Sequence, residues 1–293
     1  MATLRDIRRK IDAVKKTAQI TRAMNMVAAA KLRGAQVNME RFHPYANKFR
    51  EVIGRLVAMA RVDKSATFEL ITPRPEVKKV ELVLLTADRG LCGSFNNNLI
   101  SMAERFLNQK ISEGKQVSLI AAGRKGNEYF RKRKYPLRKA LTGLLNKPNY
   151  DDAYRLGNEV ISLFQTGEAD EVYIIYSHFV TMLRQVPTLV KLLPIEPEAQ
   201  IDIGPFAEYI LEPSHDEILN DILPNYVYVQ ILESLYQTAV SEHAARMTAM
   251  DNATNNCNEM VRTLTLVYNK ARQASITKEL MDIVGGAEAL RKK

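Results

Sequence analysis

The sequence predicts an α/β protein in which a long antiparallel coiled coil of N- and C-terminal helices carries an inserted three-layer α/β domain. Three observations predict it. Apolar residues at alternating steps of three and four run from Leu4 to Ala60, a second such run goes from Val229 to Ala274, and between them β-branched segments alternate with helical ones. A 3.5-residue repeat sustained this long drifts around a straight helix unless two helices supercoil, which reads as a left-handed coiled coil. Strands alternating with helices argue for a parallel sheet covered on both faces.

The first helix is expected over 3–61, with Thr3 as its N-cap and His43-Pro44 and Gly54 as bends within it. Only Thr21 and Asn25 are polar in its seam. A Pro-containing linker follows at 71–77. Residues 80–87 (VELVLLTA) read as a buried strand, 88–98 as a turn-rich loop and 99–111 as a helix. A second strand at 117–122 (VSLIAA) leads through Gly123 into a basic helix at 124–134. A further helix is expected at 150–166, a third strand at 171–179 (EVYIIYSHF) and a fourth at 188–193, before a Pro-dotted stretch ending at Pro213.

Ser214, with Glu217 three residues on, is the expected cap of the last helix. No Gly or Pro occurs over 225–284, and Gly285-Gly286 is the expected stop. Its seam is expected to pass through Met250, Cys257, Met260, Val267 and Ala274, broken by His243 and Arg246. Polar seam residues set register at a cost in stability, with Thr21 to Asn25 as their expected neighbours across the seam; a register lock and a contact of this segment with an outside partner both stay open. The expected domains are 1–64, 65–212 and 213–293. If the helices pair from the insert outward, Leu4 falls opposite about residue 270 and the tip, 270–293, projects alone. A bare helix with Ile276, Leu280, Met281, Ile283 and Val284 calls for a partner that surrounds it.

The chain has 293 residues and a formal charge of +9, and its first 64 residues hold fifteen Lys and Arg against five acids. The basic residues lie outside the seam with almost no aromatics for stacking on bases, so they read as a solvated coiled-coil face or a surface for an acidic protein before a nucleic-acid site. No apolar run approaches the roughly 20 residues that span a bilayer. The amphipathic helix begins at once, with neither the apolar core of a signal peptide nor a Ser/Arg-rich transit segment ahead of it. Cys92 and Cys257 are isolated, so a disulfide framework or a Cys-rich metal site is not expected.

The sharpest loop is DRGLCGSFN at 88–96, between a strand and a helix, where phosphate sites sit. It fails both nucleotide templates: Cys92 stands at the middle Gly position of a dinucleotide loop, and no Lys-Ser/Thr follows for a P-loop. A tight structural turn and a docking surface both stay open for it. No His or acid accompanies Cys92 as a catalytic partner, and His43, His178, His215 and His243 are scattered without metal-ligand spacing. No catalytic, cofactor or metal residue is assigned.

Three segments resemble the γ subunit family of F-type ATP synthase: IDAVKKTAQITRAMNMVAAAKL at 11–32, LLTADRGLCGSFNNNL at 84–99 and LVYNKARQASITKELMDIVGGA at 266–287. The order of elements fits along the whole chain. The resemblance implies a Rossmann-like inserted domain and a central rotor that carries torque between the membrane c-ring and the catalytic β subunits, coupling proton or sodium flow to ATP synthesis or hydrolysis. It implies as partners three α and three β subunits around the coil, the ε subunit and the c-ring, at the cytoplasmic face of the bacterial plasma membrane. The membrane is met only through the complex, and neither a cofactor nor a nucleic acid is implied. By motif, Met24 and Arg246 match coupling positions, Arg272 and Gln273 match a catch on a loop of β, Thr277 and Glu279 lie on the same tip, and Tyr209 and Glu212 match the foot facing the c-ring. The Cys-bearing regulatory insert of chloroplast members is missing, and Ser94 stands where the family often has a second Gly. The alternatives are a nucleotide-hydrolysing protein with a coiled-coil arm and a coiled-coil nucleic-acid-binding protein.

Overall fold

The computed structural model describes residues 3–62, 68–133, 135–196 and 215–291. The cap assigned to Ser214 and the Pro-dotted stretch up to Pro213 fall largely outside them. Two compact units emerge, Met1–Val27 with Met247–Lys293, and Ala28–Arg246. Helix α1, Leu4–Val62, and helix α5, His215–Arg291, each contribute to both.

In the first unit the N-terminus of α1 is closed by a reciprocal box. Asp6 N–H donates to Thr3 Oγ1 at 3.2 Å and Thr3 N–H donates to Asp6 Oδ2 at 3.1 Å, satisfying two donors that the first turn would leave open. The two helical segments run antiparallel, tied by a hydroxyl pair, Thr21 with Thr254 at 2.7 Å, and by Asn25 Nδ2 donating to the Met247 carbonyl at 2.9 Å. The polar step in α1 therefore finds its partners here, not at His243 and Arg246 as expected, because the antiparallel register puts residues 21–25 level with 247–254.

The α5 seam also differs in phase from the expectation. Met250, Ala253, Cys257, Val261, Leu264, Tyr268 and Ala271 turn inward, while Met260, Val267 and Ala274 are exposed. Two consecutive four-residue steps, at 253–257 and 257–261, replace the alternation and give a local period nearer 3.67, which relaxes the left-handed supercoil. Both 260–261 and 267–268 are apolar pairs, so hydrophobicity alone could not choose between them. Helix α5 also runs through Gly285-Gly286 to Arg291. A glycine ends a helix by taking positive φ, and neither of these does.

The second unit is built on a five-stranded sheet in the order β3-β2-β1-β4-β5. Strands β1 (Lys79–Leu85), β2 (Gln116–Ala122), β3 (Leu137–Leu141) and β4 (Glu171–Thr181) are parallel; β5 (Arg184–Leu193) returns from β4 as an antiparallel hairpin. The sheet is thus mixed, not wholly parallel. A two-residue turn cannot make a parallel crossover, so the short 182–183 link forces the reversal. Strand β3 has no counterpart among the expected strands.

Leu82 and Leu84 point from β1 to one face, where α2 (Phe95–Ser112) and α3 (Arg124–Phe130) pack Leu99, Ala103, Leu107 and Phe130 over them. Val83 and Leu85 point to the other, under α4 (Tyr150–Gln165) and the adjoining lengths of α1 and α5, with Leu156, Phe164, Ile53, Val227 and Ile231. That alternation is the period-2 pleat of a strand buried on both faces. From Tyr226 to Ala244 nearly every α5 residue is buried, and the remainder are half-buried, because the sheet lies on one side and α1 on the other.

Candidate functional site

Four local arrangements carry the functional reading. The first is the outer surface of the first unit. Ile20, Met26 and Val27 on α1 and Leu266 and Val267 on α5 are about half or more exposed, pointing away from the seam. Counting seventeen residues outward from the Thr21–Thr254 bond brings Leu4 level with Ala271. Beyond it, residues 276–287 are exposed on every side, including Ile276, Leu280, Met281, Ile283 and Val284. Arg272, Gln273, Thr277 and Glu279 are exposed on the same length, and Met24 is half-buried. So much apolar surface on a two-helix unit is the mark of a partner-binding face.

The second lies in the other unit, where α5 completes the sheet. Strand β1 pairs with β4 only as far as Ile175, leaving the next stretch of β4 without a neighbour on that side. Helix α5 supplies side chains in place of a strand: Ser177 N–H donates to Thr238 Oγ1 at 3.3 Å, Phe179 N–H to Gln237 Oε1 at 3.0 Å, and Ser241 Oγ–H to the Ser177 carbonyl at 3.1 Å. On α4, Gly157 has no side chain and the Tyr228 ring of α5 takes the space; a Cβ there would lie 2.3 Å from it.

The third is a closed ring of four side chains joining α1 to α5. His43 Nδ1 donates to Glu233 Oε1 at 3.2 Å, Arg50 donates to Glu233 Oε2 at 2.5 Å and to Asn47 Oδ1 at 3.1 Å, and Asn47 Nδ2 donates to His43 Nε2 at 2.9 Å. Each donor meets an acceptor when the imidazole is neutral with its proton on Nδ1. A polar cavity of about 280 Å³ opens beside the ring, with Tyr176, His178, Gln230 and Gln237 in its lining.

The fourth is the 88–96 loop, which the sequence singled out. Asp88 Oδ1 accepts the Arg124 N–H at 2.9 Å and Oδ2 the Gly143 N–H at 2.8 Å, so a carboxylate of the chain occupies the first turn of α3, where an anion would sit. Asn96 Oδ1 accepts the Ala87 N–H at 2.9 Å, and its amide reaches Cys92 Sγ at 3.1 Å. This side chain lets α2 begin at Phe95, four residues before the expected start, so the run of three asparagines is helical and not loop. Burial pushes the Cys92 thiol above its usual range, against a smaller opposing effect of Arg246, which is the reverse of an activated nucleophile. Arg246 itself donates to Glu242 at 2.7 Å and to the carbonyls of Gly90 and Arg89 at 3.3 and 3.4 Å.

Of the residues named from sequence, Arg272, Gln273, Thr277 and Glu279 fall together on one exposed helical length, Arg246 is held between Glu242 and the loop, and Tyr209 and Glu212 lie outside the described residues. Sequence reasoning missed the Ser177, Phe179 and Gln237 cluster and the His43 ring. No sequence signal marks a helix that replaces a strand, because it depends on where β1 stops. Among the described residues no cluster of metal-ligating side chains occurs, and no helix is long and apolar enough to cross a membrane.

Polar groups at the strand ends hold a helix to the sheet, and apolar surface is left open on the two-helix unit, an arrangement of a structural, partner-binding subunit. A family model described as ATP synthase matches residues 3–290. The ATP synthase gamma chain of Syntrophobacter fumaroxidans is 68% identical over the full length of both chains, and that of Nitratidesulfovibrio vulgaris strain Hildenborough is 49% identical over 99% of this chain and 100% of its own. Among solved structures, a chain of the Tetrahymena thermophila mitochondrial ATP synthase central stalk and c-ring superposes with a TM-score of 0.60 at 26% identity, covering 80% of this chain and 99% of that one. A chain of the Euglena gracilis ATP synthase rotor gives a TM-score of 0.61 at 18% identity over 93% and 98%, which speaks to the fold alone. The chain belongs to the ATP synthase gamma chain family, a noncatalytic subunit of that enzyme.

Proposed function

We propose that the chain is the central rotor of an F-type ATP synthase, passing torque between a membrane c-ring and catalytic β subunits. The observation that carries this reading is the exposed apolar surface of the first unit, which a ring of three α and three β subunits would enclose. Arg272, Gln273, Thr277 and Glu279 would meet a loop of β, Met24 and Arg246 would tune coupling, and Tyr209 and Glu212 would face the c-ring, with ε beside the inserted domain, 65–212. The helices 1–64 and 213–293 would form the coil, with the tip 270–293 seated in the enclosing subunits. The assembly would sit at the cytoplasmic face of a bacterial plasma membrane, driven by protons or sodium ions. Family membership and the sheet-to-helix ties support the reading, since torque needs a helix that cannot slip on its base.

The test is reconstitution of the complex in vesicles with and without this chain. ATP-driven ion pumping should require it, and a chain truncated after Gln273 should turn with less torque. Pumping that persists without the chain would remove the proposal.

A further inference from the structure

The polar cavity of about 280 Å³ beside the His43 ring lies between α1, α5 and the strands β4 and β5. Three of the groups lining it have no hydrogen-bond partner among the described residues. Gln230 Oε1 is buried and accepts nothing. Gln237 is 5% exposed; its Oε1 accepts the Phe179 N–H, but its amide nitrogen donates to nothing. The Tyr176 hydroxyl is the third. Burial, and then the charge of Glu233, push its pKa above the usual range, so it stays protonated and remains a donor. Exposed His178 lines the same space. The acid beside the cavity is already spent, since His43 and Arg50 take both oxygens of Glu233. Buried polar groups are nearly always paired, so two donors and one acceptor left open around one cavity define the complement of an occupant.

We propose that this cavity binds a small hydroxycarboxylate of about three or four carbons. Its carboxylate accepts from the Gln237 amide and the Tyr176 hydroxyl, its own hydroxyl donates to Gln230 Oε1, and Val190 and Leu192 wall its carbon chain. Other classes of small molecule fit the donor set less well. An ammonium or guanidinium compound would leave both donors unpaired, and sulfate has no proton to give Gln230. A neutral diol lacks the charge that strengthens the two bonds it must accept. Arg50 and Glu233 cancel one another, so the site suits a single negative charge and not a polyanion. A nucleotide is too large for the space. The proposal stands apart from the rotor reading and does not depend on it.

The test is calorimetric titration of the full-length chain with L-lactate at neutral pH, with propionate and 1,2-propanediol as comparisons at constant ionic strength. Lactate should bind saturably at one site. Propionate keeps the carboxylate but lacks the hydroxyl, and should bind about tenfold more weakly because Gln230 Oε1 stays unpaired. Propanediol, without the carboxylate, should bind no better than propionate. Gln230→Met removes an acceptor that no described group uses, so the fold should tolerate it. It should bring lactate down to the level of propionate and leave propionate unchanged. Tyr176→Phe should weaken both acids together.

The unaltered chain gives a second reading that needs no variant. In NMR spectra the Gln237 side-chain amide should shift with added lactate and saturate at the calorimetric midpoint. Equal binding of lactate and propionate, or a lactate preference that survives Gln230→Met, would overturn the proposal. So would the absence of saturable lactate binding with an unmoved Gln237 amide, which would show that the cavity holds water alone.

Discussion

The backbone N–H of Ser177 on β4 is satisfied by Thr238 Oγ1 on α5, so the helix stands where a strand would otherwise pair. Ser177 is 2% exposed and Thr238 fully buried, and water does not compete for the bond. Replacing Thr238 by Val keeps the shape and removes the acceptor. Leaving a buried donor unpaired costs about 1–3 kcal/mol. The midpoint of chemical denaturation should fall accordingly, and an unchanged midpoint would mean that the N–H finds another partner.

A second tie depends on the lack of a side chain at Gly157. Alanine would gain about 1 kcal/mol of helix propensity but press its Cβ into the Tyr228 ring, and overpacking typically costs about 1–3 kcal/mol. Gly157→Ala should therefore be net destabilising on its own. Paired with Tyr228→Leu, which vacates the ring, it should recover most of the loss in thermal melting.

The His43, Asn47, Arg50 and Glu233 ring should behave as a unit. Arg50 and Glu233 are mostly withdrawn from solvent, so their coupling should exceed that of a surface pair, roughly 1–3 kcal/mol in a double-mutant cycle with alanine at each position. Additive effects would show the ring to be energetically loose.

His243 gives the chain a pH dependence of stability. Burial lowers its pKa from 6.5, and Arg246 and Lys31 add to the effect against Glu242, whose Oε2 is 3.3 Å from Nδ1 without hydrogen-bond geometry. The folded pKa lies below the unfolded one, so the unfolded state binds the extra proton first. The contribution is complete above about pH 6.5 and falls away as the pH drops toward the folded pKa. His243→Gln should flatten that part of the stability profile measured from pH 8 to pH 5.

The parts of the fold that follow from local pattern were readable in the sequence. The α1 seam from Leu4 to Leu56 is buried or half-buried at every expected position, and β1, β2 and α4 fall within a residue or two of their expected starts. Strand β3 was not readable, because LRKAL is a charged edge strand with its middle exposed and has no apolar run. The α5 seam was displaced by one residue where adjacent apolar pairs left the phase open. The roles proposed for residues on the tip rest on the NKARQASITKEL motif alone, since exposure of an apolar helix says that something covers it and not what.

As a rotor, this chain must turn against the subunits around it. With the α and β subunits fixed to a surface and a gold nanorod attached through a cysteine introduced at Leu183, on the exposed turn between β4 and β5, ATP should drive the rod in one direction with three equal pauses per turn. A rod that only fluctuates while the same complexes hydrolyse ATP would contradict it.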